Sequence, residues 1–348
     1  MEPRIDDLRI QATRPLIQPA ILTEEIPRTR EHSEVEFATR EHARQNNQGQ
    51  DRRLLVIVGP CSIHDPAAGL AYAEQLLPLR ERYGSQLALF MRAYFEKPRT
   101  TTGWKGLIND PDLDGSHRIN KGLRLARGFL RDLAEMTLPA ATEFLDTTVP
   151  QHTADFVSWG ALGARTVESQ THRELASGLS MPIGFKNATD GRIQSAVDAV
   201  ITARNSHWFS STTKDGVAAL SHSTGNTACH IILRGGTNGP NYESFHVAEA
   251  CERLAAAHLR PAVMVDCSHG NSSKDHRRQP VVAEEIARQM ERGDGRIMGV
   301  MIESNLVAGR QDYSPDQPLT VGQSITDACV DLETTERMLE RLARATGL

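Results

Sequence analysis

Six cationic side chains stand where short apolar runs of this chain end: Arg92, Lys97, Arg99, Arg165, Lys186 and Arg234. An arginine fork matches a phosphate or carboxylate with two hydrogen bonds, whereas lysine offers a compact charge and a proton. Gathered in one pocket, such cations repel one another unless polyanions fill it, and two phosphorylated substrates would do so. A second group, Cys61, His269, Glu303 and Asp327, combines a thiol, an imidazole and two carboxylates. That mixed donor set suits one divalent ion of the Mn, Fe, Co or Zn class better than Ca or Mg. No short ligand motif joins the four, so spacing alone leaves the metal open.

Positive charge is densest in MRAYFEKPRTTTGWKG, residues 91–106, where Arg92, Lys97, Arg99 and Lys105 surround Pro98 and Gly103. An exposed helical face carries four cations without any ligand. This segment reads otherwise: 87–94 has a strand pattern, and Pro98 disfavours helix after it. Each residue also has an innocent reading. Arg165 can pair with a helix carboxylate, Cys61 can be a small buried hydrophobe, and His269 can be a hydrogen-bonded structural residue. The pattern outweighs these, because separate strands each deliver a reactive type to one rim. Cys61 follows strand one, Arg92 and Lys97 strand two, Glu143 lies on strand three, and Arg165 follows strand four. Lys186 ends strand five, Arg234 follows six, His269 follows seven, and Glu303 ends eight, with Asp327 on a later loop.

The elements that must position them are strands at 54–58, 87–91, 140–145, 156–160, 183–186, 230–233, 262–266 and 297–302. Helical patterns lie at 67–83, 123–136, 193–204, 247–258 and 281–291. This alternation predicts an α/β fold, a (β/α)8 TIM barrel with active residues at the strand C-termini. A doubly wound open sheet is the alternative. Residues 1–50 are polar and read as an extension with its own helix at 31–45, outside the core; 51–348 read as the catalytic barrel. Residues 207–223 break the alternation and read as an inserted β-hairpin turning at Lys214, Asp215 and Gly216.

Bulk properties set bounds. The 348 residues are 39% hydrophobic and 24% charged, an ordinary globular composition, with formal net charge −5. That charge argues against nucleic-acid or anionic-membrane partners. No apolar run approaches the roughly 20 residues of a membrane span. The N-terminus MEPRIDDLRI lacks a signal-peptide core. The five scattered cysteines (Cys61, Cys229, Cys251, Cys267, Cys329) argue against a disulfide framework. The expectation is a cytoplasmic protein.

The motifs GPCSIHDP, RAYFEKPRTTTGWKGLINDPD, ATEFLD, SWGALGARTVESQTHRELASGL, HIILRGG, DCSHGNSSK and GQSITDAC, in this order, resemble the class I 3-deoxy-D-arabino-heptulosonate 7-phosphate (DAHP) synthases. The likeness runs from about Asp6 to the C-terminus; it departs at Ala188, where the family reads glycine, a difference that matters if that turn needs φ > 0. The resemblance implies condensation of phosphoenolpyruvate with erythrose 4-phosphate, with release of phosphate, at the first step of the shikimate pathway. It implies Cys61, His269, Glu303 and Asp327 as metal ligands. Arg92, Lys97, Arg165, Lys186 and Arg234, with Glu143 nearby, become the phosphoenolpyruvate pocket, and Arg99 and Thr100 the sugar-phosphate site. Lys97 is the candidate proton donor to the new alkoxide, and the catalytic set is Lys97, Arg92, Glu143, Lys186 and His269.

It further implies an aromatic amino-acid effector at Asp6, Asp7, Pro150, Gln151, Leu179, Ser180, Phe209 and Ser211, with phenylalanine favoured and tyrosine or tryptophan as alternatives. The assembly expected is a homodimer or homotetramer. Two other functions compete. A metal-dependent aldolase on this barrel would not need six strand-end cations, and a phosphosugar-binding regulator would not need all four metal ligands.

Overall fold

The computed structural model describes residues 5–348. Five parallel strands come first: β1 (Leu54–Gly59), β2 (Leu87–Arg92), β3 (Ala140–Glu143), β4 (Trp159–Leu162) and β5 (Ile183–Lys186). An antiparallel pair, β6 (Trp208–Thr212) and β7 (Ala218–His222), interrupts them. Three more strands, β8 (Cys229–Leu233), β9 (Val263–Asp266) and β10 (Ile297–Glu303), then close the barrel in the order β1-β10-β9-β8-β5-β4-β3-β2. Closure through β1 and β10 excludes the open sheet. A short ribbon of β11 (Val307–Arg310) and β12 (Gln323–Ser324) follows.

The helices are α1 (Pro19–Glu25), α2 (Arg30–Gln48), α3 (Pro66–Arg82), α4 (Ile119–Glu135), α5 (Pro150–Thr153), α6 (Gln170–Gly178), α7 (Gln194–Ala203), α8 (Ser244–Ala256), α9 (Gln279–Glu291) and α10 (Leu332–Ala345). Every residue of the eight barrel strands is buried, because both faces of a covered parallel strand meet apolar atoms. Successive side chains alternate between the two faces. Leu55, Ile57, Phe90, Trp159, Ile232, Met264 and Met301 fill the interior, while Leu54, Val56 and Val58 pack with the surrounding helices. Trp159 fits because Gly184 carries no side chain: a Cβ there would lie 2.6 Å from Trp159 Cζ2 and Ile232 Cδ1.

The sequence places the extension outside the core, and the structure corrects this. Helix α2 crosses the N-terminal end of the barrel and seals it. Ala43 joins the interior cluster, and Thr39 Oγ1 meets Ser158 Oγ at 2.7 Å. Asn46 donates to Arg53 O, just before β1. The helix runs on to Gln48 and stops where Gly49 takes φ +78°. Polar residues around 46–48 look like a loop in one dimension, but here they continue the helix, and Asn46 satisfies a backbone carbonyl at the entrance to β1.

The fourth strand begins at Trp159, not at 156. Residues Ala154–Phe156 form a 3-10 turn, and Arg40 of α2 takes the carbonyls of Ala154 and Val157 at 2.6 and 2.9 Å, diverting them from a ladder. The third strand likewise stops at Glu143. The hairpin turns where expected, with Gly216 at φ +74° and its N–H donating to Thr213 O. Ala188 needs no left-handed backbone, since Gly191 carries the positive φ of that turn at +103°. Its methyl is therefore accommodated without strain.

Candidate active site

The strand C-termini bring the two chemical groups together. Cys61, two residues beyond β1, is fully buried; Glu303 ends β10, and Asp327 sits exposed on the loop after β12. Ligand atoms of these three lie within 4.8 Å of one another, and Cys61 Sγ is 3.9 Å from Asp327 Oδ2. His269 reaches the cluster from another side, with Nε2 3.5 Å from Glu303 Oε1. It holds φ +55°, so the DCSHGN loop keeps a non-glycine residue in the left-handed region to aim this ring. Thiol and carboxylates converge, while the His269 imidazole touches Glu303 but stands outside the 4.8 Å group; the donor types together fit a borderline divalent ion.

The cations divide into two kinds. Arg92, at the end of β2, is turned inward with no exposure. It donates to Pro60 O at 3.0 Å, Cys61 O at 3.1 Å and Glu303 Oε1 at 2.9 Å. Its guanidinium carbon lies 3.5 Å from the centre of the Tyr94 ring. Lys97 is also buried, and its Nζ donates to Cys61 Sγ at 3.1 Å and to Cys61 O at 3.2 Å. Lys186 Nζ lies 3.0 Å from Asp266 Oδ2. Arg165, Arg99 and Thr100 are exposed at the rim, and Arg234 is half-buried. Asn187 Oδ1 accepts the backbone N–H of Arg234 at 2.8 Å, which fixes where that residue leaves its strand.

Burial alone would raise the Glu303 carboxyl, but His269, Arg92 and Lys97 outweigh it and hold it at about 2. Burial likewise works against the Lys97 ammonium; Cys61, Glu303 and Asp327 hold it above the usual lysine range, so it stays charged. Glu143 ends β3 with Oε1 buried and lacking a hydrogen-bond partner. Beside it, burial and the neighbouring Asp146 raise Glu96 to about 7.

Asp266, Ser268, Glu96 and Tyr94 were not singled out by sequence reasoning. The DCSHGNSSK and RAYFEKPRTTTGWKGLINDPD motifs contained all four, but only folding shows Ser268 Oγ donating to Glu303 Oε2 at 2.8 Å. The proposed effector residues lie elsewhere. Pro150 and Gln151 are in α5, Leu179 and Ser180 follow α6, and Phe209 and Ser211 are on β6. The hairpin docks on both helices: Lys214 Nζ donates to Gln151 O, and a Cβ at Gly178 would lie 3.4 Å from the Phe209 ring. Asp6 and Asp7 lie exposed in the N-terminal segment, with Asp7 N donating to Asp6 Oδ1.

Comparison with known proteins agrees with this arrangement. Residues 31–340 match the DAHP synthetase I family. This chain belongs to that family. A phospho-2-dehydro-3-deoxyheptonate aldolase of Escherichia coli described as Phe-sensitive is 52% identical over 340 residues, covering 98% of this chain and 97% of that protein. A tyrosine-inhibited phospho-2-dehydro-3-deoxyheptonate aldolase of Schizosaccharomyces pombe is 49% identical over 346 residues, covering 98% and 93%. The solved phospho-2-dehydro-3-deoxyheptonate aldolase of Francisella tularensis superposes with a TM-score of 0.95 at 53% identity, covering 97% of this chain and 98% of that one. The expectations of family and barrel are both borne out. Among the described residues, no helix is long and apolar enough to cross a membrane.

Proposed function

We propose that this chain condenses phosphoenolpyruvate with erythrose 4-phosphate to DAHP and phosphate. The observation that carries the reading is the meeting, at one barrel mouth, of the Cys61, Glu303 and Asp327 donors, with His269 beside Glu303, and of Lys97, Lys186, Arg165 and Arg234. Held by those four donors, a divalent ion of the Mn, Fe, Co or Zn class would supply Lewis-acid polarisation of the sugar aldehyde.

The chain's own residues do the rest. Arg165, Lys186 and Arg234 bind the phosphate and carboxylate of phosphoenolpyruvate, while Arg99 and Thr100 take the phosphate of the sugar. Arg92 and Glu143 shape the floor, Arg92 by fixing Cys61 and Glu303. Lys97 protonates the alkoxide formed when C3 of phosphoenolpyruvate attacks the aldehyde. Water then adds at C2 and phosphate leaves with C–O cleavage. Holding both anions in line is worth about 7–11 kcal/mol in favourable cases. A coupled assay for phosphate release that needs both substrates tests this reading. Cleavage or condensation without phosphate release would favour an ordinary aldolase.

Feedback inhibition by an aromatic amino acid belongs to the same proposal, with phenylalanine favoured. The Phe-sensitive relative, the docked hairpin and the Ser211 hydroxyl support it. Apolar residues exposed on the hairpin (Trp208, Val217, Leu220) and the extension (Ile5, Leu8, Ile10) support a homodimer or homotetramer in which they are covered. Inhibition curves with each aromatic amino acid, and the mass of the assembly in solution, test these two parts.

A further inference from the structure

Asp266 ends β9 with its carboxylate fully buried. Its Oδ1 accepts the backbone N–H of Ser268 at 2.9 Å, which folds the loop back on itself. Its Oδ2 lies 2.9 Å from His269 Nδ1 and 3.0 Å from Lys186 Nζ. As the ring stands, Oδ2 and Nδ1 both lack a hydrogen-bond partner. A small rotation of the imidazole aligns them, as hydrogen bonds in unliganded sites commonly tighten on binding.

Resting on the ligand reading above, we propose that Asp266 is a positioning residue that sets the tautomer of His269. A carboxylate can only accept, so it draws the ring proton to Nδ1. Once the ring is neutral, Nε2 is left unprotonated on the side facing Glu303, where a metal would be bound. Lys186 offsets the charge that Asp266 buries, so the carboxylate persists in the barrel mouth without a bound ligand. Asp266 itself offers no atom to the metal. Its influence passes through the ring.

The test is the Asp266→Asn substitution. The amide keeps an oxygen for Ser268 but can turn its NH2 toward Nδ1, which drives the proton to Nε2 and blocks the ligand atom. Mn2+ affinity, measured by competition with a chelating dye, should fall about 10–100-fold, the usual effect of losing such a partner. In a His269→Ala background the same substitution should cost almost nothing further, because the residue it acts through is gone. A full loss repeated in that background would mean general disruption and would overturn the proposal. Nitrogen-15 NMR of the imidazoles at mildly alkaline pH provides a check that does not require Asp266→Asn to fold. The signal that disappears in His269→Ala should report Nδ1–H in the wild-type protein, and an Nε2–H signal overturns the assignment. Unchanged Mn2+ affinity in His269→Ala alone would defeat the ligand reading, and this inference with it.

Discussion

At the N-terminal end of the barrel the carboxyl of Glu36 accepts one hydrogen bond, from Ser158 Oγ at 2.7 Å. At the C-terminal end Glu303 faces Arg92, Ser268 and His269. The two are the same residue type and both are buried, yet they are held in opposite states. Burial dominates at Glu36 and raises it to about 7, with Ser158 and Arg40 only partly compensating. Positive neighbours dominate at Glu303 and hold it at about 2. One end spends its polar groups on closing the fold, and the other concentrates charge that a ligand set can use. Burial alone therefore does not mark a functional carboxylate. Its partners do.

Glu303→Ala should show the largest effect. It strands the buried Arg92 guanidinium, and breaking such a pair costs about 3–5 kcal/mol. It also removes a proposed ligand, so activity should fall to background and purified protein should retain no metal by elemental analysis. A variant with wild-type melting and metal content would show that the C-terminal cluster is no different from the N-terminal one.

Lys97→Met should follow, lowering the turnover number by about 10²–10⁴-fold, as expected for loss of a general acid. Arg99→Ala, exposed at the same rim, should instead raise the Michaelis constant for erythrose 4-phosphate. If Arg99→Ala lowered only the turnover number, the division between chemistry and binding would be wrong.

Glu36→Gln probes the other end through stability. A carboxyl raised on folding contributes fully below its unfolded value of 4.5, and that contribution is lost as pH rises through about 7. The variant should therefore match wild type near pH 4.5 and exceed it by about 2–3 kcal/mol above pH 7. Denaturant melts across that range decide it, and a constant offset at all pH values would remove the titration account.

The smallest effects should come from the regulatory parts. Removing residues 1–14 spares the links of Pro15 and Ile17 to Asn120, so turnover should hold while aromatic inhibition weakens. Ser211→Gly breaks the 2.5 Å hydroxyl contact with Ser221 and should change which aromatic amino acid inhibits. Inhibition curves identical to wild type in both variants would leave the extension and hairpin a packing role.

By itself the sequence determined the alternation of buried strands and covering helices, because eight apolar runs separated by amphipathic stretches leave few ways to bury every strand; the pairing of β1 with β10 decided for a closed barrel over an open sheet. It also determined which reactive residues reach the rim, since a strand's C-terminal end is a position in one dimension. It could not determine partnership. That Arg92 faces inward, that Asp266 stands beneath both Lys186 and His269, and that a polar helix seals the barrel depend on contacts between residues far apart in the chain. The same holds for the opposite states of Glu36 and Glu303. A side chain's ionisation and direction are set by the groups folding brings within a few ångströms, and tertiary structure alone decides those.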